Sequence, residues 1–599
     1  MKFDDILPKL GEFGRYQKYM YLLICVAAIP SAYFNLANSF LSASSDHYCK
    51  VYDNQTYEES SPLKNCTIPF DSDGLWDKCN RYDINVSSGI SKDLCYPRTD
   101  TINCDVGWVY DTSTYERTVV HEYDLVCSRN WMSQLSKSIV PLGNLIGALF
   151  CGQISDVIGR KPTFFVSLIT AIIVAFCAAV SQSYAFFLIC QLIMGICSTG
   201  MFLVGYVIGV ELVGVEYRTM CGIVIEIFFA CGYMLLAIVA AAVNGDWRKI
   251  QFVAAIVCVV FIPYYWLINE SVRWLLQKSK FDEAESILQK AAKINKVSLP
   301  DDMFADEREF AKLSPEEKEK QKENNTDEVQ RTMIDLFKTP NLRVRTINMS
   351  YQWFAVSFVY YGLSMNTDQL GVNPYVAFLL SGAVEIPAYL SVWWLLNKVG
   401  RRWTMFWYMV LGGVSLIISV PPEIAEVSAA WATIGKFFSA GGFAIAYVFA
   451  GEIYPTTVRN AGMGLSSTCA RVGSIISPYV MLLIDVWYPL PYLIMAFASI
   501  IAGFLVLLLP ETHNQEFPET LHEGEIFGTP AWDELKKEKE EKEGERPGIE
   551  TNDIELQVNM DIEDSASADA CSKVDTSDTN HIMSSDDKTG LDNGGFKQD

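Results

Sequence analysis

Three charged side chains lie in stretches that otherwise carry almost no charge. Glu226 is in the run CGIVIEIFFACG, Glu385 in SGAVEIPAYL and Arg471 in SSTCARVGSII. An ionisable group inside a long apolar segment is costly, and it usually faces a cavity or an opposite charge. The two acids could attract a cationic group, and the arginine could bind a carboxylate. These three residues are therefore candidates for a site that binds charged solutes.

Aromatic residues accompany these charges at helical spacing, and ring faces attract ammonium groups. Trp353 and Tyr360 are seven residues apart, so they share one face of a helix. The aromatic candidates for the site are Phe202, Tyr206, Phe229, Trp353, Tyr360 and Tyr447. Two alternatives stay open: the aromatics could be packing residues, and Arg471 with one glutamate could form a purely structural ion pair. Lys436 lies near the expected end of its helix, so its ammonium is expected to reach the membrane surface.

The segments that hold these residues are long enough to cross a bilayer, which takes roughly 20 apolar residues. The start of the chain, MKFDDILPKLGEFGRYQK, is too acidic for the n-region of a cleaved signal, so it is expected to be cytosolic. The sequence predicts an all-α membrane protein with twelve transmembrane helices. We number these spans 1 to 12 and expect them at 20–42, 132–154, 163–181, 186–208, 219–243, 250–268, 346–364, 375–397, 403–421, 430–451, 461–484 and 490–510.

The formal charge of −23 is concentrated in two hydrophilic segments. Residues 511–599 hold 25 acidic and 8 basic residues, and residues 43–131 hold 15 and 8. The short loops on one side of the membrane carry most of the remaining Lys and Arg, which places them in the cytosol by the positive-inside rule. Arg248 and Lys249, on the other side, are exceptions. The acidic balance argues against nucleic-acid binding, which needs a basic face.

The loop between spans 1 and 2 has the composition of an extracellular segment. It contains three glycosylation sequons, at Asn54, Asn65 and Asn85. Six cysteines in so short a hydrophilic segment predict three disulfides in an oxidising compartment, with the pairing left open. The alternative is six free thiols in a cytosolic loop. The cysteines are Cys49, Cys66, Cys79, Cys95, Cys104 and Cys127.

Charged motifs recur at a constant offset of 241 residues. Three matches at one offset predict a duplicated six-helix unit. Glycine in the repeated Gly-Arg motif permits a tight turn between helices. The charges could form ion pairs across the cytosolic face that hold the halves together while the outer side is open; alternatively, they only determine topology. The candidate gate residues are Asp156, Gly159, Arg160, Glu211, Arg218, Glu270, Arg401, Glu452, Arg459 and Glu511.

Several motifs resemble a known family. SDVIGRK at 155–161 and NKVGRR at 397–402 are similar to the loop signatures of the major facilitator superfamily. The large first loop, GWVYD at 107–111, ESVRWLL at 270–276 and EIYPTTVRNAGMG at 452–464 resemble its organic cation, carnitine and organic anion transporter family. The resemblance covers roughly residues 1–525. It implies two pseudo-symmetric six-helix bundles around a cavity lined by spans 4, 5, 7, 8, 10 and 11, with alternating access.

The charges resemble the carnitine-type branch of that family. Cation-selective members tend to have an acid at the position of Arg471, and anion carriers tend to have a lysine near Tyr389. The resemblance implies a secondary transporter of small organic cations or zwitterions, such as carnitine-like betaines, in the plasma membrane, with sodium or a proton as a possible coupling ion. The alternatives are an organic anion exchanger and a receptor or scaffold that does not transport. No Walker A, H-E-x-x-H or G-x-S-x-G motif is evident, so neither an enzyme nor a cofactor is expected.

The expected domains follow from these segments. In the linker, SKFDEAESILQKAAKIN has apolar residues at helical spacing and predicts an amphipathic helix under the bundle. The domains are a cytosolic N-terminus at 1–19, an N-terminal bundle at 20–268 that includes the loop at 43–131, a cytosolic linker at 269–345, a C-terminal bundle at 346–510 and an acidic, disordered cytosolic tail at 511–599.

Overall fold

The computed structural model of the chain consists mainly of long helices. Met1–Thr529 forms one compact unit, and Pro530–Asp599 forms a second, of which Pro530–Gly544 is a helix. The structure describes residues 3–51, 55–57, 64, 67–70, 74, 76–83, 100–214, 217–300, 303–304, 308, 333–420 and 424–544.

All twelve expected spans are helical in the part of the chain that the structure describes. Nine are long and apolar enough to cross a membrane, and span 12 is apolar but only 17 residues long. The all-α prediction is confirmed. Spans 1 to 6 are Arg15–Leu41, Asn130–Ile158, Arg160–Ala179, Tyr184–Leu212, Arg218–Ala242 and Trp247–Leu267. Spans 7 to 12 are Pro340–Ser364, Pro374–Lys398, Arg401–Ser419, Ala425–Ile453, Arg459–Asp485 and Leu490–Val506.

The loop between spans 1 and 2 forms a small β-containing layer, the loop domain (residues 43–131). Strand β1 (His47–Cys49) pairs antiparallel with β4 (Trp108–Tyr110), and β2 (Asn80–Tyr82) pairs antiparallel with β3 (Thr101–Asn103). We call the end of the bundle that carries this domain the loop face, and the opposite end, which carries the linker, the linker face. A short helix, Val119–Tyr123, leads into span 2.

Two disulfides hold the loop domain together. Cys49 is bonded to Cys104, which joins the end of β1 to the segment after β3, and Cys79 is bonded to Cys127. The prediction of disulfides is confirmed for these four residues. The remaining expected positions lie outside the described residues: Cys66, Cys95, Asn54, Asn65 and Asn85.

The loop domain accounts for the two basic residues that break the positive-inside pattern. Arg248 donates to the Glu122 carboxylate, and Lys249 is 2.8 Å from Glu116. Burial alone would raise the pKa of Glu122, but hydrogen bonds from Arg248 and Trp247 hold it below its ordinary value. Both basic side chains thus attach the loop domain to the start of span 6.

The linker begins with two helices, Val272–Gln277 and Phe281–Asn295, which confirms the amphipathic helix expected there. The apolar face of the helix Phe281–Asn295 is buried, for example at Leu288. At its end, the Asn295 side chain accepts from the Tyr16 amide at 2.8 Å and donates to the Leu10 carbonyl at 2.9 Å. The helix is therefore fastened to the segment before span 1 and to the first turn of that span. The charged stretch at 313–331 lies outside the described residues.

The prediction of a disordered tail from residue 511 is wrong for its first part. A helix spans Leu521–Ile526, and its first turn is closed by a capping box between Thr520 and Glu523. The Glu525 carboxylate then accepts the backbone amides of Asn341 and Leu342, both at 2.9 Å, at the start of span 7. Helix N-termini have free amides that a carboxylate can satisfy, and this contact orders the segment. Residues 545–599 lie outside the described part.

Spans 2 and 4 cross at a pair of glycines with their backbones in contact. A Cβ on Gly143 would lie 2.2 Å from the Leu192 carbonyl oxygen, and a Cβ on Gly195 would lie 2.3 Å from the Val140 carbonyl oxygen. Small residues allow helices to approach this closely within a membrane. The crossing therefore excludes any side chain at these two positions.

We predict that Gly143→Ala lowers the thermal stability of the detergent-solubilised protein, because the added methyl group forces the two backbones apart at a cost of about 1–3 kcal/mol or more. The matched control is Gly152→Ala on the same span, where a Cβ meets nothing within 4 Å. The melting temperature, measured by tryptophan fluorescence, should fall for Gly143→Ala and stay at the parent value for Gly152→Ala. Equal melting temperatures would contradict the close crossing.

Candidate binding site between the two halves

The two halves are joined at the loop face. The Ser39 hydroxyl on span 1 donates to the Ser364 carbonyl on span 7 at 3.0 Å, and the Ser138 hydroxyl on span 2 donates to the Ile475 carbonyl on span 11 at 2.8 Å. Further hydrogen bonds between the halves, from Ser44 to the Asp368 carboxylate and from the Tyr375 hydroxyl to the Thr114 carbonyl, also lie at this face. The structure is thus closed at the loop face.

A buried ion pair strengthens this closure. Lys137 of span 2 donates to the Asn366 side chain at 3.0 Å, and its ammonium is 3.9 Å from the Asp368 carboxylate. Both charged side chains are almost completely buried. Neither residue was a candidate from the sequence, although a lysine inside an apolar span is itself a signal of a buried partner. Lys137 and Asp368 connect the halves just beyond the end of span 7.

Glu385 lies at a break in span 8. Its two parts are Pro374–Ala383 and Glu385–Lys398. Pro387 explains the break, because a proline ring clashes with the carbonyl four residues earlier and supplies no amide. Glu385 is fully buried and accepts a hydrogen bond from the Tyr389 hydroxyl at 3.3 Å.

The partner of Glu385 is Lys436, whose ammonium lies 3.0 Å from the carboxylate. The expectation that Lys436 reaches the membrane surface is wrong, since it is only 1% exposed. Span 10 begins at Ala425 rather than at 430, which places Lys436 eleven residues, or roughly 16 Å, along the helix. At that depth a lysine has to find its partner inside the protein.

Three further groups surround the Lys436 ammonium. It donates to the Ser364 hydroxyl, lies 3.0 Å from the centre of the Tyr360 ring and lies 5.3 Å from the centre of the Tyr233 ring. We call Glu385, Ser364, Tyr360 and Tyr233 the ammonium cage. Tyr233 is on span 5, so the cage includes a wall from each half of the protein.

Glu226 and Arg471 lie near the Lys436–Glu385 pair, but they do not form an ion pair themselves. Each is partly exposed, and Glu226 interacts electrostatically with both Glu385 and Arg471. Among the described residues, neither has an ion-pair partner within 4.0 Å. The alternative in which Arg471 forms an ion pair with one of the glutamates is therefore wrong for this structure. The buried ion pair joins Lys436 and Glu385. The described residues around this site thus include two acids, Glu226 and Glu385, and two bases, Lys436 and Arg471.

The aromatic candidates pack around these charges in two groups. Phe202 of span 4 meets Phe229 of span 5 edge to face, with ring centres 5.6 Å apart. Trp353 of span 7 meets Tyr447 of span 10 with ring centres 4.4 Å apart. Tyr206 and Tyr447 both lie within electrostatic range of Glu226. Tyr206, Tyr447 and Tyr360 thus lie near charged residues. Trp353 and Tyr360 are buried, at 2% and 5% exposure, so their rings pack against the protein's own side chains in this conformation.

The chain is similar in sequence to known membrane transporters. The family model for sugar (and other) transporters matches residues 27–522. An organic cation transporter protein of Drosophila melanogaster is 42% identical over 533 residues, covering 88% of this chain and 95% of that protein. The human organic cation/carnitine transporter 2 is 33% identical over 532 residues, covering 87% and 93%.

The chain belongs to the organic cation and carnitine transporter family of the major facilitator superfamily. A solved structure of the xylose transporter XylE from E. coli in an inward open conformation has the same fold, with a TM-score of 0.53 and 15% identity over 85% of this chain and 99% of that one. The protein is therefore a multi-pass membrane transporter and not an enzyme.

In this transporter the repeated glycine turns have the same geometry in both halves. The Glu270 carboxylate accepts the Arg160 amide at 3.0 Å, and the Glu511 carboxylate accepts the Arg401 amide at 2.8 Å. The turn glycines have φ values of 113° at Gly159 and 95° at Gly400, a region that favours glycine. A Cβ at Gly159 would lie only 2.5 Å from Glu270.

The gate ion pairs lie within the halves in this conformation. Arg160 pairs with Asp156 at 2.9 Å and with Glu211 at 3.5 Å, all in the N-terminal half. In the C-terminal half, Arg401 pairs with Glu452 at 2.9 Å.

The two arginines at the starts of spans 5 and 11 complete the set of gate candidates. The Arg459 side chain donates to the Tyr454 carbonyl at 3.3 Å, and the Arg218 side chain lies outside the described residues. Pairing across the linker face stays a prediction for the conformation in which that face is closed.

We predict that Asp368→Asn weakens the loop-face closure. It leaves Lys137 buried without an opposite charge, which costs about 3–5 kcal/mol, and opening that face returns the ammonium to water. Ser138→Cys is introduced as a reporter in the parent and in every variant, so that its own effect on the closure is common to all. Thiol labelling of the purified protein, measured by mass spectrometry of that peptide, should then be faster with Asp368→Asn.

The matched control is Asp485→Asn, which removes a carboxylate that accepts only a 3.4 Å hydrogen bond from Asn130 at an exposed part of the same face. Its labelling rate should equal that of the parent. Identical rates in Asp368→Asn, Asp485→Asn and the parent would show that the Lys137–Asp368 pair does not hold the face closed.

Proposed function

We propose that this transporter moves small organic cations or zwitterions, such as carnitine-like betaines, across the plasma membrane by alternating access. The observation that supports this proposal is the pair Glu226 and Arg471, an acid and a base that are partly exposed and interact electrostatically without an ion pair of their own. A solute with both an ammonium and a carboxylate group satisfies both charges, whereas a simple cation satisfies only Glu226.

The aromatic residues supply the remaining recognition. Phe202 and Phe229 are partly exposed on the N-terminal side, and Tyr447, which packs against the buried Trp353, is partly exposed on the C-terminal side. Rings attract a quaternary ammonium without requiring a hydrogen bond. Arg471 presents its guanidinium, which binds carboxylates in a planar, bidentate way. The solute is thus oriented with its ammonium toward Glu226 and its carboxylate toward Arg471.

The relatives support the same substrate class. The Drosophila protein is described as an organic cation transporter, and the human protein as an organic cation/carnitine transporter. The disulfides of the loop domain support an extracellular loop face, with both termini in the cytosol. Sodium or a proton is the candidate coupling ion.

Transport requires the closure at the loop face to alternate with closure at the linker face. In the described conformation the hydrogen bonds of Ser39 and Ser138 close the first of these. Release of the solute toward the cytosol, followed by separation of these contacts, returns the site to the outside. Pairing of Arg160 or Arg401 with acids of the opposite half would then close the linker face.

We predict saturable uptake of carnitine and of tetraethylammonium by cells that express this protein. Labelled carnitine, tetraethylammonium and para-aminohippurate should be compared side by side, with and without sodium. Uptake of para-aminohippurate alone would overturn the proposal in favour of an organic anion exchanger in which Arg471 dominates. Uptake of none of the three, with the protein at the cell surface, would favour a receptor or scaffold.

We predict that Arg471→Ala separates zwitterions from cations. Loss of a charge-assisted contact to the carboxylate should lower carnitine uptake about tenfold or more, while tetraethylammonium uptake changes little. Arg471→Lys, which keeps the charge, should retain part of the carnitine uptake, and Glu226→Gln should lower the uptake of both solutes. An equal loss of both solutes in Arg471→Ala would show that Arg471 has a structural role instead.

A further inference from the structure

The ammonium of Lys436 is bound as a substrate ammonium would be. It has a carboxylate at 3.0 Å, a serine hydroxyl and two tyrosine rings around it. A carboxylate combined with aromatic ring faces is the usual way in which proteins recognise organic ammonium groups. The ammonium cage is therefore a cation-binding subsite by its chemistry, and the protein's own side chain fills it.

The cage adjoins the space where the proposed solute lies. Glu385 interacts electrostatically with Glu226, and Tyr361 lies within electrostatic range of Glu226, Glu385 and Arg471. A charge at position 436 therefore interacts electrostatically with a solute bound at Glu226. With Lys436 present, the formal charges of Glu226, Glu385, Lys436 and Arg471 sum to zero; without Lys436, they sum to one negative unit.

The cage is also assembled from both halves. Tyr233 comes from span 5, whereas Glu385, Tyr360 and Ser364 come from spans 8 and 7. The carbonyl of Ser364 accepts the Ser39 hydroxyl that closes the loop face. The cage in this form thus belongs to the loop-face-closed conformation, and separation of the halves removes the Tyr233 wall.

We propose that Lys436 is a tethered cation that occupies the ammonium cage and sets the charge selectivity of the transporter. By neutralising Glu385 it balances the site, which favours zwitterions over simple cations. When Lys436 is removed, Glu385 is free to attract a second positive charge. This inference rests on the proposed function, because it concerns the selectivity of the same site.

The test compares the uptake efficiencies of tetraethylammonium and carnitine in charge variants of the cage. Lys436→Gln should raise the ratio of tetraethylammonium to carnitine efficiency about tenfold, chiefly through a lower KM for tetraethylammonium, since one ion–ammonium contact is gained. Glu385→Gln should shift the ratio in the opposite direction, because Lys436 then leaves the site positive. The double variant Glu385→Gln with Lys436→Gln restores the balance, so its ratio should return to within about threefold of the parent's.

Two controls separate selectivity from folding. Lys436→Arg keeps the charge and should keep the parent ratio. Lys278→Gln removes the charge of an exposed lysine in the linker and should also keep the parent ratio. Surface biotinylation normalises uptake to the protein present. If Lys436→Gln does not reach the surface, Glu385→Gln decides the question by the opposite shift of its ratio.

The outcomes are distinct for this inference and for the proposed function. Opposite shifts of the ratio in the two single variants, cancelled in the double variant, support the tethered cation. A ratio that stays constant while both efficiencies fall together overturns it and makes the Lys436–Glu385 pair purely structural. Failure of the parent protein to transport either solute would instead overturn the proposed function.

Discussion

A charge that leaves water for the interior of a membrane protein needs an opposite charge and hydrogen bonds around it. The Lys436–Glu385 pair meets this requirement inside the C-terminal half, and the Lys137–Asp368 pair meets it between the halves. The first pair fixes the charge balance of the central site, and the second fixes which face of the transporter is closed. Recognition and gating thus both depend on where buried charges find their partners.

The end of span 7 connects these two pairs. Ser364 accepts a hydrogen bond from Lys436 through its hydroxyl and one from Ser39 through its carbonyl, and Asn366, two residues further on, accepts from Lys137. A displacement of this turn therefore affects the cage and the closure together. Such a shared element is a physical route by which solute binding and opening of the loop face can be coupled.

The sequence predicted the architecture because hydropathy and the 241-residue offset report on helix number and duplication directly. It also identified Glu226, Glu385 and Arg471, since a charge in an apolar run is conspicuous. It missed the role of Lys436 because an error of five residues at the start of span 10 moved that residue from the interior to a helix end. The Lys137–Asp368 pair joins residues far apart in the chain, and no spacing rule could have revealed it.

The balanced interior has an electrical consequence. Moving one unit of charge through the membrane field changes the free energy by about 2.3 kcal/mol per 100 mV. With Glu226 and Glu385 offset by Lys436 and Arg471, the described interior charges add no net charge to the return of the empty carrier. The membrane voltage would then act on the solute and on any coupling ion rather than on the protein. A zwitterion carried without a coupling ion would cross without current, whereas a monovalent cation would be driven inward by a negative cell interior.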